Sequence, residues 1–439
     1  MTIRPRERTA IIQSLSAGVV PSIGLQHIQV GRAAEVAALV NDLQLVEQGG
    51  AAIRFIVGRF GSGKTFFLNL IRNVALSRRF VVIQADITTE RRLHGSTGQA
   101  RSLYGEMTKN LATPSKPEGG ALQNLVERWV SNLEHQVLSS GGTEDDVSQK
   151  ISQKAGQLQN LVNGYDFASV IVKYYDGYRT HNEELQQSAL RWLRAEYTSK
   201  QQARQELRVR NIIDDESFYD SIKLLAAFVR LAGYNGLLIL LDELVVLSHR
   251  LNNTVSRNNN YEAILRILND CLQGQTEGLA FLFAGTDECL EDRRRGLFSY
   301  EALATRLAPN RFAHGGRVDL SGPVVKLDSL TPEDCFVLLH NIRNVFAAGD
   351  AAKHLITDDG IHAFLKNCHD RMGATYFQTP RDTVKDFVGL LKVLEQNPKT
   401  EWKHLLQNLA ASTKSSGPPS EIPASPQKSS GDDLTEFRL

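Results

Sequence analysis

Residues 58–65 read Gly58-Arg59-Phe60-Gly61-Ser62-Gly63-Lys64-Thr65, a complete GxxxxGK[ST] phosphate loop. This feature restricts the fold more than any other, because the motif works only between a buried strand and a helix. Both flanks comply: the apolar run Ile53-Arg54-Phe55-Ile56-Val57 precedes it, and Phe66-Phe67-Leu68-Asn69-Leu70 opens a helical stretch after it. Glycines let backbone N–H groups wrap a phosphate chain, and the helix then points its positive N-terminus at the anion. In that geometry Lys64 reaches the β- and γ-phosphates and the Thr65 hydroxyl ligates Mg²⁺. Gly58, Gly61, Ser62, Gly63, Lys64, Thr65 and the adjoining Phe66 are the candidate nucleotide contacts. A glycine-rich turn that matches by chance is the alternative, and the strand–loop–helix context argues against it.

A second element points to hydrolysis. Leu237-Leu238-Ile239-Leu240-Leu241-Asp242-Glu243 is an apolar run ending in two acids, the pattern of a buried parallel strand with carboxylates at its C-terminal edge. Asp242 would hold the Mg²⁺ shell and Glu243 would polarise a water for attack on the γ-phosphoryl group. A further strand, Leu279-Ala280-Phe281-Leu282-Phe283-Ala284-Gly285, ends in Thr286-Asp287. If it is inserted between the other two, Thr286 lies beside the γ-phosphate and helps place the water; a plain strand-end turn is the competing reading. The three strands predict an α/β fold, a parallel sheet flanked by helices with its ligand at the C-terminal edges.

The 439 residues suffice for two or three domain-sized units. Lys+Arg 50 against Asp+Glu 49 leaves overall charge silent about nucleic acid. Cys271, Cys289, Cys335 and Cys368 are widely spaced and read as free buried thiols, and the histidines lack metal-ligand spacing. No apolar stretch reaches membrane-helix length and the N-terminus lacks a secretory apolar region, so a soluble cytoplasmic protein without membrane contact is expected.

Five parts are expected along the chain. Residues 1–50 hold two helices, around Arg8–Ala17 and Ala33–Glu47. Residues 51–90 and 221–328 form the α/β core, with strands at Phe80–Ala85 and Val324–Leu327. Residues 91–220 are an inserted helical region whose Arg191, Arg194, Lys200, Arg204, Arg208 and Arg210 are interspersed with acids, favouring a solvated surface over a nucleic-acid face. Residues 329–411 form a helical lid opened by Thr331 as N-cap and Pro332 at the first position. Residues 412–439, rich in Ser, Pro and Lys, read as a disordered tail, with Leu434, Phe437 and Leu439 as an alternative docking peptide. The polar run Ser248–Asn260 reads as a loop.

This order of elements resembles AAA+-type ATPases, closest to the branch that includes origin-recognition ATPases. Ile28-Gln29-Val30-Gly31-Arg32 is similar to the box that approaches the adenine in that branch, which implies base-side roles for Gly31 and Arg32. Thr379-Pro380-Arg381-Asp382 resembles the arginine-bearing start of a lid helix, implying that Arg381 contacts the nucleotide. The segment Ala304–Arg311 lies where such proteins carry an arginine finger that completes a neighbour's site, with Arg306 the first choice and Arg311 the second. The combination of Val19-Val20-Pro21-Ser22-Ile23-Gly24-Leu25, the phosphate loop, Leu241-Asp242-Glu243-Leu244 and Arg293-Arg294-Arg295-Gly296-Leu297-Phe298-Ser299-Tyr300 narrows the resemblance to the bacterial ATP-binding proteins called BrxD, over residues 8 to about 400. The resemblance implies an ATP- and Mg²⁺-dependent ATPase that assembles or remodels a complex with other proteins of a phage-defence island. It also implies a homo-oligomer or AAA+ hetero-assembly, with duplex DNA as a candidate partner. An ATP-dependent binding switch or scaffold with negligible turnover is the rival reading.

Overall fold

The computed structural model describes residues 3–313, 319–372 and 380–406. In chain order these carry α1 (Pro5–Ser16), α2 (Ala33–Glu47), β1 (Ala51–Val57), α3 (Lys64–Ser77), β2 (Val81–Asp86), α4 (Gln99–Lys109), α5 (Leu122–Ser139), α6 (Glu144–Ala155), α7 (Gly164–Arg179), α8 (Glu183–Leu193), α9 (Lys200–Leu207) and α10 (Phe218–Leu231). There follow β3 (Leu237–Asp242), α11 (Thr254–Leu272), β4 (Leu279–Gly285), α12 (Asp287–Glu291), α13 (Glu301–Leu307), β5 (Val324–Lys326), α14 (Pro332–Phe346), α15 (Asp358–Met372) and α16 (Pro380–Gln396). The sequence expectations for residues 412–439 and for Thr379 lie outside the described residues.

The strands form one parallel sheet in the order β2-β3-β4-β1-β5. Their unbroken apolar runs follow from burial on both faces. Because successive side chains alternate, Phe55, Val57, Ile239, Leu241, Phe281 and Phe283 enter one hydrophobic cluster, while Ile56, Leu238, Leu240, Leu282 and Ala284 enter another with α2 and α3. On the first face the ring centroids of Phe55 and Phe283 stack 5.2 Å apart. The helices between β2 and β3 share that same cluster. Trp129 of α5 meets Phe228 of α10 edge-on at 5.4 Å, and Phe167 of α7 meets Phe228 at 5.9 Å. They pack onto the sheet through α10 and not around a core of their own.

A third cluster joins Ile11 and Ile12 of α1 and Ile28 to α14, α15 and α16. The two N-terminal helices thus part company, α1 packing with the C-terminal helices and α2 on the sheet. Arg8 fixes α1 there, donating to the Phe346 carbonyl at 2.7 Å and approaching Glu395 at 3.6 Å. Thr331 caps α14 with a reciprocal bond to Asp334, and Pro332 takes the first helical turn.

One stretch differs from its sequence expectation: the polar run Ser248–Asn260 is not a loop. Val246–Arg250 forms a π-helical turn, and α11 begins at Thr254 behind Asn253, whose side chain accepts from the Ser256 N–H at 3.1 Å. Asparagine and arginine disguise the helical periodicity, yet Arg257, Asn260, Tyr261 and Ile264 share its buried face. Tertiary packing overrides weak local propensity there.

Arg54 is a buried cation inside β1. Its guanidinium grips Asp42 of α2 at 2.6 and 2.7 Å and donates to the Leu320 carbonyl at 3.0 Å. Arg54→Leu should lower unfolding free energy by about 3 kcal/mol, since it strands a largely buried carboxylate. Urea titration checks this; a midpoint equal to the parent's would show that Asp42 reaches solvent instead. The four cysteines are buried and form no disulfide. Among the described residues no helix is long and apolar enough to cross a membrane.

Candidate nucleotide site

The loop Gly58–Thr65 leaves β1 and enters α3 as the motif demands. Gly61 and Gly63 adopt φ of 84° and 87°, a region that glycine enters without steric cost. Gly58 is held for another reason: a Cβ there would lie 2.6 Å from both the Leu327 carbonyl and the Ser62 hydroxyl. Lys64 folds back onto its own loop, donating to the carbonyls of Gly58 at 2.8 Å and Arg59 at 2.9 Å. Phe66, the third residue of α3, packs against the cluster formed by α1 and the C-terminal helices.

The sheet register places the acids opposite this loop. Thr65 Oγ1 donates to Asp242 Oδ2 at 3.0 Å, joining the first turn of α3 to the end of β3. Asp242 also accepts from the Glu243 N–H at 2.8 Å. Glu243 has φ of 61°, a left-handed conformation that costs a non-glycine residue on the order of 1 kcal/mol. Its neighbours hold it there, since Leu244 N–H donates to the Ala284 carbonyl at 2.9 Å and Ile87 N–H to the Asp242 carbonyl at 3.0 Å. β4 lies between β3 and β1, and the Gly58 N–H reaches the Gly285 carbonyl at 3.3 Å. Thr286 follows Gly285 immediately, so it stands between the acids and the phosphate loop.

Two residues of the site escaped the sequence reading. Asp86 ends β2 directly beside Asp242 in parallel register, and Asp287 exerts its charge on Lys64. The terminal acid of the run Val81–Asp86 was a readable signal; the alignment of Asp86 with Asp242 required the strand order. Partial burial, then repulsion from Asp242 and Asp86, raises the Glu243 carboxyl above its ordinary range, against the opposing charges of Arg250 and Lys64. Asp86 is raised similarly by burial and Asp242. Burial draws the Lys64 ammonium down, countered by Asp242, Asp287 and Glu243. Three carboxylates facing one lysine leave the pocket short of positive charge.

The residues present fit a phosphate chain with a divalent cation. Ser62 Oγ and Thr286 Oγ1 are buried hydroxyls without a partner among the described residues, on the two sides of the cleft. Thr65 and Asp242 offer a hydroxyl and a carboxylate at hydrogen-bond separation, a donor set suited to Mg²⁺ that completes its shell with phosphate and water.

Other sequence-derived candidates lie elsewhere. Gly31 and Arg32, both at φ of 63°, carry the chain into α2. Arg32 donates to the Asp328 carbonyl and reaches Glu35 at 3.4 Å, linking the two segments that join the sheet to the C-terminal helices. Arg381 opens α16 and lies over Gly18, where a Cβ would meet its Cγ at 3.6 Å. Arg306, in the last turn of α13, donates to Asn269 at 2.8 Å and the Ala302 carbonyl at 3.0 Å. Arg311 is exposed and makes no ion pair among the described residues. None of these four arginines bonds to Gly58–Thr65 or the acids.

A parallel sheet with its acid-bearing strand separated from the phosphate-loop strand by β4, and a hydroxyl at the end of β4, defines a P-loop nucleotide-binding protein of AAA+ type. The chain belongs to the family described as BREX system ATP-binding protein BrxC/D, whose model matches residues 3–410. Binding of ATP and membership of a phage-defence system follow from that placement. No curated protein matches the sequence. Among solved structures, AMPPCP-bound DnaA from Aquifex aeolicus is similar over 89% of this chain and 96% of that chain, at 12% identity and a TM-score of 0.29, too distant to carry a conclusion.

Proposed function

We propose that the chain hydrolyses ATP and uses the cycle to assemble or remodel a complex of BREX proteins in the cytoplasm, with duplex DNA as the setting. The contact between Thr65 Oγ1 and Asp242 Oδ2, flanked by Lys64 and Glu243, carries this reading. Thr65 and Asp242 would hold Mg²⁺, which supplies charge stabilisation to the phosphoryl oxygens. Lys64 exchanges its carbonyl partners for phosphate oxygens. Ser62 and backbone N–H groups of the loop donate to the phosphates from below, while Thr286 donates from the β4 side and orients the attacking water. Glu243 accepts that water's proton; its raised proton affinity makes it a better base than an ordinary surface carboxylate. Gly31, Arg32 and Phe66 border the base side, and Arg381 contacts the nucleotide when the C-terminal helices close. A retained water-activating acid favours turnover over a pure binding switch.

Arg306, or failing it Arg311, completes the site of a neighbouring copy in an oligomer. Arg306 must leave Asn269 and the Ala302 carbonyl to do so, an exchange of two hydrogen bonds for a charged phosphate contact. Arg306→Ala should therefore lower ATPase activity about 10³-fold while ATP binding stays near parent strength. Mixing Arg306→Ala with Glu243→Gln should restore part of the activity, because an intact finger then meets an intact acid across the boundary. Absence of rescue in a shown co-assembly would place Arg306 in a structural role within its own chain.

Phosphate release by the purified chain, with and without duplex DNA and Mg²⁺, tests the central reading. Tight ATP binding without turnover under all these conditions would replace it with the switch.

A further inference from the structure

Helices α14 and α15 each bury one side in the cluster they share with α1 and α16. Between them a second side stays open. Phe336 and Val337 of α14 and Leu365 of α15 line a groove of about 520 Å³ there. Val337 is 44% exposed in it, although apolar side chains of a helix ordinarily meet a partner. On α15 the lining residues His362, Leu365, Lys366 and His369 recur at the three- and four-residue spacing of a single helix face. The His362 ring stacks on Phe336, with centroids 4.2 Å apart and 14° between the planes. His362, Lys366 and His369 are exposed, so an apolar floor is edged by nitrogen donors. Glu333 lines the groove as well, and Asp370 follows Lys366 by one helical turn.

The chain itself carries a matching occupant. From Ser412 to Gly431, Ile422 is the one large apolar residue apart from proline. Leu434, Phe437 and Leu439 then fall within six positions, set among Asp432, Asp433 and Glu436 and beside Arg438. A segment this short builds no core of its own, so its apolar side chains need a surface. It lies beyond residue 410, outside the family match. The described chain reaches Leu406, whose carbonyl accepts from the Asn367 side chain of α15 at 3.3 Å. Asn367 is turned about 100° around α15 from Lys366, so the path to the groove rounds a helix about 10–12 Å across. Residues 407–433 give 27 positions for that path. A chain of that length reaches about 90 Å when extended and about 30 Å as a random coil.

We propose that residues 432–439 dock in the groove between α14 and α15 of their own chain, with Phe437 and its neighbouring leucines on Phe336, Val337 and Leu365. The carboxylates of Asp432, Asp433 and Glu436 accept from the Lys366 and histidine edge, and Arg438 finds Glu333 and Asp370 on the same surface. Residues 373–379 are nearer to α15 in sequence and include Tyr376 and Phe377, but they carry no charged side chain to meet that edge. A tether of a few tens of residues holds its segment at an effective concentration on the order of millimolar, so modest contacts keep the groove filled. The occupant also bears on the phosphate loop. Leu365 belongs to the cluster against which Phe66 packs, and Phe66 directly follows Lys64 and Thr65. A filled groove therefore braces the helices that border the nucleotide site. Docking does not depend on hydrolysis of ATP.

Disulfide trapping in the full chain tests this, since the four native cysteines are buried and two introduced thiols join only when their backbones come close. Val337→Cys with Thr435→Cys should form an intramolecular disulfide under mild oxidation, read as the cross-linked peptide by mass spectrometry. Its rate should exceed by at least about tenfold that of Val162→Cys with Thr435→Cys, because docking raises the local concentration of one thiol at the other. Val162 is 61% exposed in the helical stretch between β2 and β3 and serves as the distant control. Adding Leu434→Asp and Phe437→Asp to the trapping pair should return the rate to that of the control, with the melting temperature unchanged. A trapping rate equal to the control, or trapping that survives the two aspartates, would overturn the proposal. Disulfides found only between chains would overturn it too, giving the groove to the same segment of a second copy. So would faster trapping of Val337→Cys with Tyr376→Cys, which would assign the groove to residues 373–379.

Discussion

Lys64→Ala is expected to weaken ATP binding by about two orders of magnitude, the scale of hydrogen bonds made by one charged group to charged acceptors. Lys64 is the cation that three neighbouring carboxylates and the phosphate loop surround, and its hydrogen-bond partners among the described residues are the carbonyls of Gly58 and Arg59. Those carbonyls cannot satisfy an ammonium as phosphate oxygens do, so the nucleotide gains what the loop gives up. Without it the site meets a polyanion with Asp242, Glu243 and Asp287 no longer countered by the lysine. Calorimetric titration with a non-hydrolysable ATP analogue measures the loss, with an unchanged melting temperature showing that the loop's host is intact. Parent-like affinity would remove Lys64 from the site.

Glu243→Gln is expected to retain ATP and to lower turnover between about 10²- and 10⁴-fold, the range for loss of a positioned general base. Glutamine keeps the length, and the left-handed backbone at this position strains either residue equally. What disappears is the ability to accept a proton from water. Single-turnover phosphate release reads the chemical step directly. Hydrolysis at the parent rate would show that another carboxylate activates the water, and Asp86, one strand away, is the next to replace. Loss of ATP binding together with turnover would instead give Glu243 a structural part in forming the pocket.

Much of the site could be read from the chain because each of its parts is local. A phosphate loop needs glycines, a lysine and a hydroxyl residue at fixed spacing, and the buried strands declare themselves as apolar runs ending in Asp242 or Thr286. The cap of α14 was legible for the same reason, since Thr331, Pro332 and Asp334 act within one turn. The helix at Thr254 was not, because its buried polar residues are satisfied outside the helix, Asn260 by the distant His94 and Arg257 by the carbonyl of Leu251 in the preceding turn.

By itself, then, the sequence determined that a triphosphate-binding α/β protein would form, and which residues lie at the phosphate end of each strand, because backbone geometry and periodicity are properties of short segments. Only the tertiary structure decided that β4 enters between β3 and β1, that Asp86 stands beside Asp242, and that α1 packs with α14 and α16 while α2 packs on the sheet. Each depends on which distant surfaces bury one another, and the chain order of the elements does not encode that choice in any single stretch of residues.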